Sequence, residues 1–297
     1  GTGSSPTLMN CTISGNSMSD GRGGRGGGVY CGENSSPTLT SCTISGNSGL
    51  GVTCSGSSPT LANCTISGNS DGGVYCFGSS PTLTNCTISG NSADGGGGVY
   101  GHDGCSPVLT NCIVWGNAGV SWTIAGEDSQ PAVSFSCLET EEVWPGEGNI
   151  NSDPIFCGFA GPRDTFVDAA SPEGGDGSSE RPFRDLAAAL EFSLSLKANS
   201  PCIGAGKGGA NMGADLGICE AGEPGAPVVV HLAPGRYSME GLSVSQGASI
   251  VGAGADWAVI EGTVYGLRTR SVLRALTVTK GTEGGVVIAA GESPVIE

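Results

Sequence analysis

The sequence predicts an all-β solenoid, in which short strands from successive coils stack into long parallel sheets. A thirteen-residue phrase, complete at residues 36–48, occurs five times, and a weaker sixth copy follows. The prolines of these copies are 31, 22, 22, 26 and 24 residues apart, and repeats of that length are typical of solenoids. The 54 glycines have no collagen period and favour frequent turns, because each helical glycine costs about 1 kcal/mol relative to alanine. The six prolines are Pro6, Pro37, Pro59, Pro81, Pro107 and Pro131.

Alternating residue types predict three short strands in each coil. Cys42 and Ile44 point to one face, and the threonine and serine that follow them point to the other. In the next type of strand, Val74 and Cys76 point inward and Tyr75 points outward. The third strand is the Pro-Thr-Leu-Thr part of the phrase, with its leucine inward. Such short strands pair with the next coil about 4.8 Å away, so we expect three parallel sheets around a dry core.

Three motifs carry a resemblance to a known family: the turn Gly46-Asn47-Ser48, the strand Gly98-Val99-Tyr100 and the opening Ser80–Asn85. With these motifs, the array is similar to the right-handed parallel β-helix repeats of the pectin-lyase-like superfamily, of the bacterial secreted or surface type. The resemblance implies a right-handed parallel β-helix with three strands per coil. It implies no single activity, because this fold hosts lyases, hydrolases, epimerases, adhesins and spacers. The catalytic patterns of the superfamily are missing from the sequence.

The chain divides into three predicted regions. Residues 1–137 form the β-helix repeat array, and residues 223–297 begin a second β-helix run. Residues 138–222 form a transition region that caps the open end of the array. This region contains the one convincing helix, near residues 181–191.

The segments of the transition region follow one another in an unexpected order. The helix has Ser179 as its predicted N-cap and Pro182 in its first turn. Residues 194–221 then interrupt the opening of the second run, either as an insertion or because two modules are interleaved. The chain stops at what looks like another copy of the phrase, beginning at Ser293, so we expect it to be a piece of a longer protein.

Stacked coils turn recurring residues into columns. The resemblance implies that an asparagine column lies inside a turn, where each side-chain amide bonds to its neighbours along the stack. Its role is structural, since asparagine suits turns and tolerates left-handed backbone conformations. The members of this column are Asn16, Asn47, Asn69, Asn91 and Asn117.

Cysteines form two further columns. A straight column of thiols does not offer the tetrahedral geometry of a metal site, so we expect buried free thiols that act as small apolar fillers. Disulfides between neighbouring coils are the alternative. In the transition region one disulfide is predicted among Cys157, Cys202 and Cys219, with Cys202–Cys219 as the favoured pair. One column contains Cys11, Cys42, Cys64, Cys86, Cys112 and Cys137, and the other contains Cys31, Cys54 and Cys76.

The outward side chains are where a ligand would bind. Threonine and serine files make a flat, uncharged surface, explained either by strand propensity and solubility or by recognition of a repetitive ligand such as a polysaccharide or ice. The pattern breaks in the fifth copy, where tryptophans that can stack on a sugar or pack under a loop appear. The candidate ligand-binding residues are Thr12, Thr43, Thr65, Thr87, Ile113, Trp115 and Trp122.

The charge of the chain excludes some partners. The net charge is −16, and residues 127–180 hold twelve acids and one base, so no basic footprint for nucleic acid exists. The acidic residues of this segment form a solvated surface or, as an alternative, bind calcium. No other cofactor or metal is expected. No apolar run is long enough to span a bilayer. We expect a monomer.

Histidines offer little basis for catalysis. His102 and Asp103 lie together on a loop, but one such pair is common by chance. His231 is interpreted as part of a strand wall rather than as a ligand. No catalytic residue is predicted.

Together these features favour a non-enzymatic extracellular or cell-surface module of bacterial type, which binds glycan or serves as an adhesive spacer. One alternative is a polysaccharide lyase or hydrolase whose active-site coil lies outside these residues. Another is binding to ice or to a crystalline surface through the threonine and serine files.

Overall fold

The computed structural model describes residues 3–16, 27–93, 96–117, 122–124, 129–159, 164–189, 192–215, 217–219, 229–243, 248–265, 271–280, 285–286 and 294–297. Contacts divide the chain into two compact units. The first comprises Gly1–Ile155 and Ser195–Ala221, and the second comprises Phe156–Leu194 and Gly222–Glu297. The transition region expected at residues 138–222 is therefore shared between two interleaved modules, which is one of the two arrangements that the sequence left open.

Short strands dominate the described residues. In chain order they are β1 (Thr7–Met9), β2 (Thr12–Ser14), β3 (Gly27–Cys31), β4 (Thr38–Thr40), β5 (Thr43–Ser45), β6 (Leu50–Ser55), β7 (Thr60–Ala62), β8 (Thr65–Ser67), β9 (Val74–Phe77), β10 (Thr82–Thr84), β11 (Thr87–Ser89), β12 (Val99–His102), β13 (Val108–Thr110), β14 (Ile113–Trp115), β15 (Trp122–Ile124), β16 (Ala132–Ser134), β17 (Cys137–Leu138), β18 (Phe156–Phe159), β19 (Asp164–Val167), β20 (Phe192–Lys197), β21 (Ile218–Cys219), β22 (Val229–Leu232), β23 (Gly235–Ser243), β24 (Ser249–Gly252), β25 (Ala258–Tyr265), β26 (Val272–Arg274), β27 (Thr277–Thr279) and β28 (Val295–Ile296). The helix α1 spans Leu186–Ala189, and a 3-10 turn spans Lys207–Gly209.

The first unit is an all-β solenoid of three parallel sheets, as predicted. The sheets have the strand orders β1-β4-β7-β10-β13-β16, β2-β5-β8-β11-β14-β17 and β3-β6-β9-β12-β15, named below the first, second and third sheets. Equivalent residues stack in register, for example Leu39 on Leu61 and Ile44 on Ile66. These four side chains are fully buried, and each contributes about 1.5–3 kcal/mol of hydrophobic stabilisation.

One residue in the left-handed conformation turns the chain from each strand of the first sheet to the next strand of the second. Asparagine is common there because it tolerates a positive φ angle. The buried asparagine column does not have this conformation; the glycine before each of its members does, with φ angles from 61° to 70°. The corner residues, with φ angles from 49° to 56°, are Asn10, Ser41, Asn63, Asn85, Asn111 and Phe135.

The asparagine column itself forms as the sequence predicts. The Nδ2 atoms of Asn16, Asn47, Asn69 and Asn91 each donate to the Oδ1 atom of the next member, at 2.8–2.9 Å. The backbone N–H of each donates to the same oxygen, at 3.0–3.2 Å. Every member from Asn47 to Asn117 is at most 1% exposed, whereas Asn16 lies at the exposed end. The column therefore satisfies buried polar groups without solvent.

Most cysteines are free thiols, as expected. The hydrogen bond with the Cys86 thiol, together with burial, raises the pKa of Cys64 far above its usual range. The Cys64 thiol therefore stays protonated and acts as an apolar filler. The free cysteines among the described residues are Cys11, Cys31, Cys42, Cys54, Cys64, Cys86, Cys112, Cys137 and Cys202.

Two cysteine predictions are wrong. Cys76 is disulfide-bonded to Cys105. Its partner in the next coil is Gly101, so the thiol column ends there and the sulfur bonds to a cysteine from the following turn. The predicted Cys202–Cys219 disulfide does not form, because Cys202 is free and its thiol hydrogen-bonds with that of Cys137.

A covering segment, residues 202–214, lies against the outer side of the second sheet. The backbone N–H of Ala214 donates to Thr87 Oγ1 at 2.9 Å. Gly213 approaches so closely that a Cβ atom there would lie 2.6 Å from Thr87 Oγ1 and 2.8 Å from Ile113 Cδ1. Thr87 and Ile113 are consequently only 1% exposed, so the prediction that both face solvent is wrong.

The second unit contains two parallel sheets, with strand orders β19-β22-β24-β26-β28 and β23-β25-β27. Strand β19 pairs directly with β22, so the strand before the interruption and the strand after it lie side by side. The core includes Val230, Ile250 and Ile260, which are fully buried. His231 lies in a strand, as interpreted, where it stacks on Phe166 with ring centroids 4.9 Å apart.

The predicted helix near residues 181–191 is wrong at its start, because α1 begins only at Leu186. The residues before α1 are bound to strand β19 instead. The backbone N–H of Phe183 donates to the Phe166 carbonyl at 2.9 Å, and that of Asp168 donates to the Phe183 carbonyl at 2.8 Å. A helix therefore cannot begin at Ser179 as its N-cap. No helix in the described part of the chain is long and apolar enough to cross a membrane.

Glu261, in the second unit, is a carboxylate with three hydrogen-bond donors around it. It accepts from Lys280 Nζ at 2.9 Å, Ser238 Oγ at 3.0 Å and Arg236 Nη1 at 2.6 Å. These hydrogen bonds, with Lys280 first, lower the pKa of Glu261 to about 2.

The stability of the second unit is therefore expected to fall as the pH is lowered from about 4.5 to about 2. Above pH 4.5 the carboxylate is ionised in both the folded and the unfolded chain, and its contribution is complete. Below that pH the unfolded chain takes up the proton first, so the contribution is lost as the pH approaches 2. This contribution to the free energy of unfolding is measured by urea unfolding of the protein and of the Glu261→Gln variant at pH 6 and pH 2.5. The stability difference between them should shrink at pH 2.5, and an unchanged difference would contradict the assignment.

Candidate functional site

Aromatic side chains gather on the outer side of the third sheet. In β9 and β12 the inward residues Val74 and Val99 are fully buried, which directs the alternate residues outward. The strand register places Tyr75 beside Tyr100, and it places residue 77 beside residue 102. The aromatic face consists of the half-buried side chains Tyr75, Phe77, Tyr100 and His102.

The rings of the aromatic face contact one another. Tyr75 and Tyr100 stack with centroids 5.8 Å apart and ring planes inclined by 29°. The imidazole of His102 lies 5.2 Å from the Phe77 ring and within 5.8 Å of both tyrosine rings. Aromatic contacts between neighbouring strands hold such side chains in fixed orientations. The face is thus an ordered platform with an apolar surface and polar edges.

His102 links two polar groups of this platform. Its Nδ1 atom lies 3.0 Å from Asp103 Oδ2, and its Nε2 atom lies 2.9 Å from the Tyr75 hydroxyl. Because a carboxylate only accepts hydrogen bonds, Nδ1 is the donor to Asp103, and Nε2 shares a hydrogen bond with the tyrosine hydroxyl. The three groups form a Tyr–His–Asp relay, in which the carboxylate orients the imidazole and the imidazole orients the hydroxyl.

A disulfide fixes the turn that carries this relay. Cys105 follows the turn after β12 and bonds to Cys76 on β9, between the two outward aromatic residues of that strand. Asp103 adopts a φ angle of 53° and Gly104 one of 77°, which bends the chain back toward the neighbouring coil. The position of the His102–Asp103 pair is therefore set by a covalent link as well as by the sheet.

The outward file continues beyond the aromatic face. Tyr30 and Thr53 occupy the same file as Tyr75 in the two preceding coils. Tyr30 is 60% exposed, whereas Thr53 is fully buried. The file therefore presents aromatic rings on both sides of a covered threonine, along the direction in which the coils stack.

The residues that the sequence singled out lie elsewhere. The threonine file and Trp115 belong to the second sheet, not to the sheet of the aromatic face. Thr12 is exposed and Thr43 is half-buried, but Thr65 is only 7% exposed. Trp115 is half-buried, and the side chain of Trp122 lies outside the described residues. The structure does not bring these side chains together with Tyr75 and His102.

Metal ligands do not cluster in the part of the chain that the structure describes. No group of three or more histidine, cysteine, aspartate or glutamate side chains there could hold a metal ion. Calcium binding by the acidic segment stays a prediction.

Comparison with known families identifies the first array. Residues 2–138 match the family model described as "Right handed beta helix region". The repeat array is a right-handed β-helix. Together with the parallel sheets described above, the match confirms the predicted fold class, and it is consistent with the resemblance to the pectin-lyase-like superfamily. Comparison with curated proteins and with solved structures finds no significant match.

The aromatic face was missed by the sequence analysis, although a signal for it exists. Aligning the Gly-Val-Tyr motif at residues 73–75 with that at residues 98–100 places the two tyrosines in one file. The same alignment places Phe77 and His102 together in the neighbouring outward-facing file, two residues further along the strands. The His102–Asp103 pair was considered without its neighbours, because two residues alone carry no information about what lies one coil away.

Proposed function

We propose that this β-helix is a non-enzymatic module that binds glycan through the aromatic face. The observation that carries the proposal is the stacked Tyr75–Tyr100 pair, held beside His102 on the outer side of a rigid sheet. Aromatic rings offer an apolar face to the C–H side of a sugar ring, and the polar edges offer hydrogen bonds to its hydroxyl groups. An open platform suits a polymer, since a polymer needs no enclosed pocket.

The proposed setting is extracellular or at the cell surface. The Cys76–Cys105 disulfide supports it, and so does the disulfide bond of Cys157, since disulfides persist in oxidising compartments. The nine free thiols of the described residues do not argue against it, because eight of them are buried and protected from oxidants.

Glycan retention tests the proposal. The protein is passed over immobilised cellulose, chitin, xylan and polyuronate, and the affinity for the polymer that retains it is measured. We expect Tyr100→Ala to lower that affinity about threefold to tenfold, because one stacking contact is lost, and Tyr100→Phe to preserve most of it. Trp257→Ala is the control, because that tryptophan is 65% exposed and belongs to the second unit.

The same experiment separates the competing hypotheses. Weakening by Trp115→Ala and not by Tyr100→Ala would move the site to the second sheet. New reducing ends or unsaturated products in the eluate would favour an enzyme, with the Tyr75–His102–Asp103 relay as the first group to test. No retention on any polymer contradicts the proposal.

A further inference from the structure

A cleft of about 650 Å³ lies in the second unit, beside the short helix α1. Its volume falls in the range of small-molecule sites, about 300–1,000 Å³. It opens to solvent, and all of its lining belongs to the second unit. The residues that matter below are Glu173, Phe183, Arg184, Asp185, Arg236 and Tyr237.

The two arginines of the cleft are held in different ways. Arg236 is fixed, because its Nη1 atom lies 2.6 Å from Glu261 Oε1, and Glu261 is only 14% exposed. Arg184 is held, among the residues that the structure describes, by one contact of 3.4 Å between its Nη1 atom and Glu173 Oε1. The Arg184 side chain is 55% exposed and the Glu173 side chain 88% exposed, so this contact contributes little to stability.

Glu173 thus pairs with Arg184 only weakly. A guanidinium group presents two parallel N–H donors that match a carboxylate or a sulfate, and the contact with Glu173 uses one of them at long range. A ligand oxyanion that engages both donors replaces Glu173 at low cost. Glu173 is therefore a placeholder for such a group.

The walls of the cleft restrict what else the ligand carries. Tyr237 is 5% exposed, and its one hydroxyl hydrogen is shared between the carbonyl groups of Ala233 and Val167, at 2.9 Å and 3.2 Å, so the side chain serves as a fixed wall. Phe183 is half-buried at the same cleft and offers an apolar surface. Asp185 also lines the cleft, and its charge disfavours a second oxyanion next to the first.

We infer that this cleft binds a ring-shaped ligand bearing one oxyanion, either a carboxylate or a sulfate, with Arg184 as the receptor and Glu173 as the group that the ligand displaces. The inference goes beyond the proposed function, because the cleft and the aromatic face belong to different units. Glycan retention at the aromatic face can fail while oxyanion binding succeeds, and the reverse also holds.

Calorimetric titration of the full chain tests the inference with three probes on one ring: glucose, glucuronate and glucose 6-sulfate. At least one of the two anionic probes should bind at least tenfold more tightly than glucose, and which one binds identifies the oxyanion. Arg184→Met should weaken that binding at least tenfold. Glu173→Gln should strengthen it about threefold to tenfold, a direction that a purely structural role for Glu173 does not give.

Two matched controls separate the site from general charge effects. Glu180→Gln removes an exposed carboxylate outside the cleft, and Arg274→Met removes an arginine that is 54% exposed and lies 3.9 Å from its carboxylate partner. Neither should change the affinity by more than about twofold. The inference is overturned if neither anionic probe binds the protein or its Glu173→Gln variant, or if Glu180→Gln strengthens binding as much as Glu173→Gln does.

Discussion

Replacing Asn69 with alanine is expected to destabilise the first unit by about 3–5 kcal/mol. The Asn69 side chain is fully buried, and its Oδ1 atom accepts from the backbone N–H and the Nδ2 atom of Asn47, at 3.2 Å and 2.8 Å. Its own Nδ2 atom donates to Asn91 Oδ1 and to the Ile44 carbonyl, at 2.8 Å and 3.1 Å. Alanine removes all four bonds in a dry core: the backbone N–H of Asn47 loses its acceptor, and Asn47 Nδ2 keeps only the Ile13 carbonyl at 3.2 Å. Each buried group that loses a partner in this way costs about 1–3 kcal/mol.

The comparison variant is Asn16→Ala, at the exposed end of the same column. Its side chain donates to Asn47 Oδ1 at 2.8 Å, so one column bond is lost there as well, but water can reach the site. We expect a cost of about 1 kcal/mol or less from this variant. Urea unfolding followed by circular dichroism measures both variants. Equal shifts of the two unfolding midpoints would show that the buried column is not what stabilises the turn.

The parts of the fold that were predictable are those in which each coil repeats its neighbour. Leu39, Leu61 and Leu83 occupy the same place in each phrase, and stacking of identical coils puts them in one buried row. The asparagine column follows in the same way, since an inward amide in one coil implies an inward amide in the next. Period-two alternation then gives the inner and outer faces.

The parts that were not predictable depend on contacts with no repeat. Gly213 packs on Thr87 and Ile113, although it lies far from both along the chain and no pattern connects them. A file of threonines that alternation marks as outward is therefore partly covered. The Cys76–Cys105 disulfide was missed for a related reason, because Gly101 breaks the column and the bonding cysteine comes from a turn.

The candidate site lies between these two cases. The outward direction of Tyr75 follows from alternation alone, and the burial pattern of β9 confirms it. The meeting of four aromatic rings requires the register between β9 and β12, which are separated by a longer coil than β6 and β9 are. Single-residue arguments therefore pointed to Tyr75 and to His102, but not to the face that these two residues form with Phe77 and Tyr100.

Gly73→Ala is the second substitution for which a large effect is expected, about 2–3 kcal/mol of destabilisation. An ideal Cβ at this position would lie 2.7 Å from the Gly98 carbonyl oxygen, 2.7 Å from Ile88 Cγ2 and 3.0 Å from Asn91 Nδ2. The first of these is backbone of the next coil, so the coil itself has to shift, and overpacking of this kind costs about 1–3 kcal/mol. Gly51 makes the same close approach one coil earlier, so the sheet cannot relax easily.

Gly46→Ala is the control for Gly73→Ala, because it measures the cost of backbone conformation without any steric clash. Gly46 has a φ angle of 61°, and no atom lies within 4 Å of the position that an alanine methyl group would take, so alanine there costs only the left-handed conformation, about 1 kcal/mol. Amide hydrogen exchange gives a local measure, because the N–H of Val74 donates to the Gly98 carbonyl at 2.9 Å and should lose protection only in the Gly73 variant. Since Gly73 packs against the asparagine column and also precedes the strand that carries Tyr75, this variant should loosen the turn and the aromatic face together, whereas Gly46→Ala should leave the face intact.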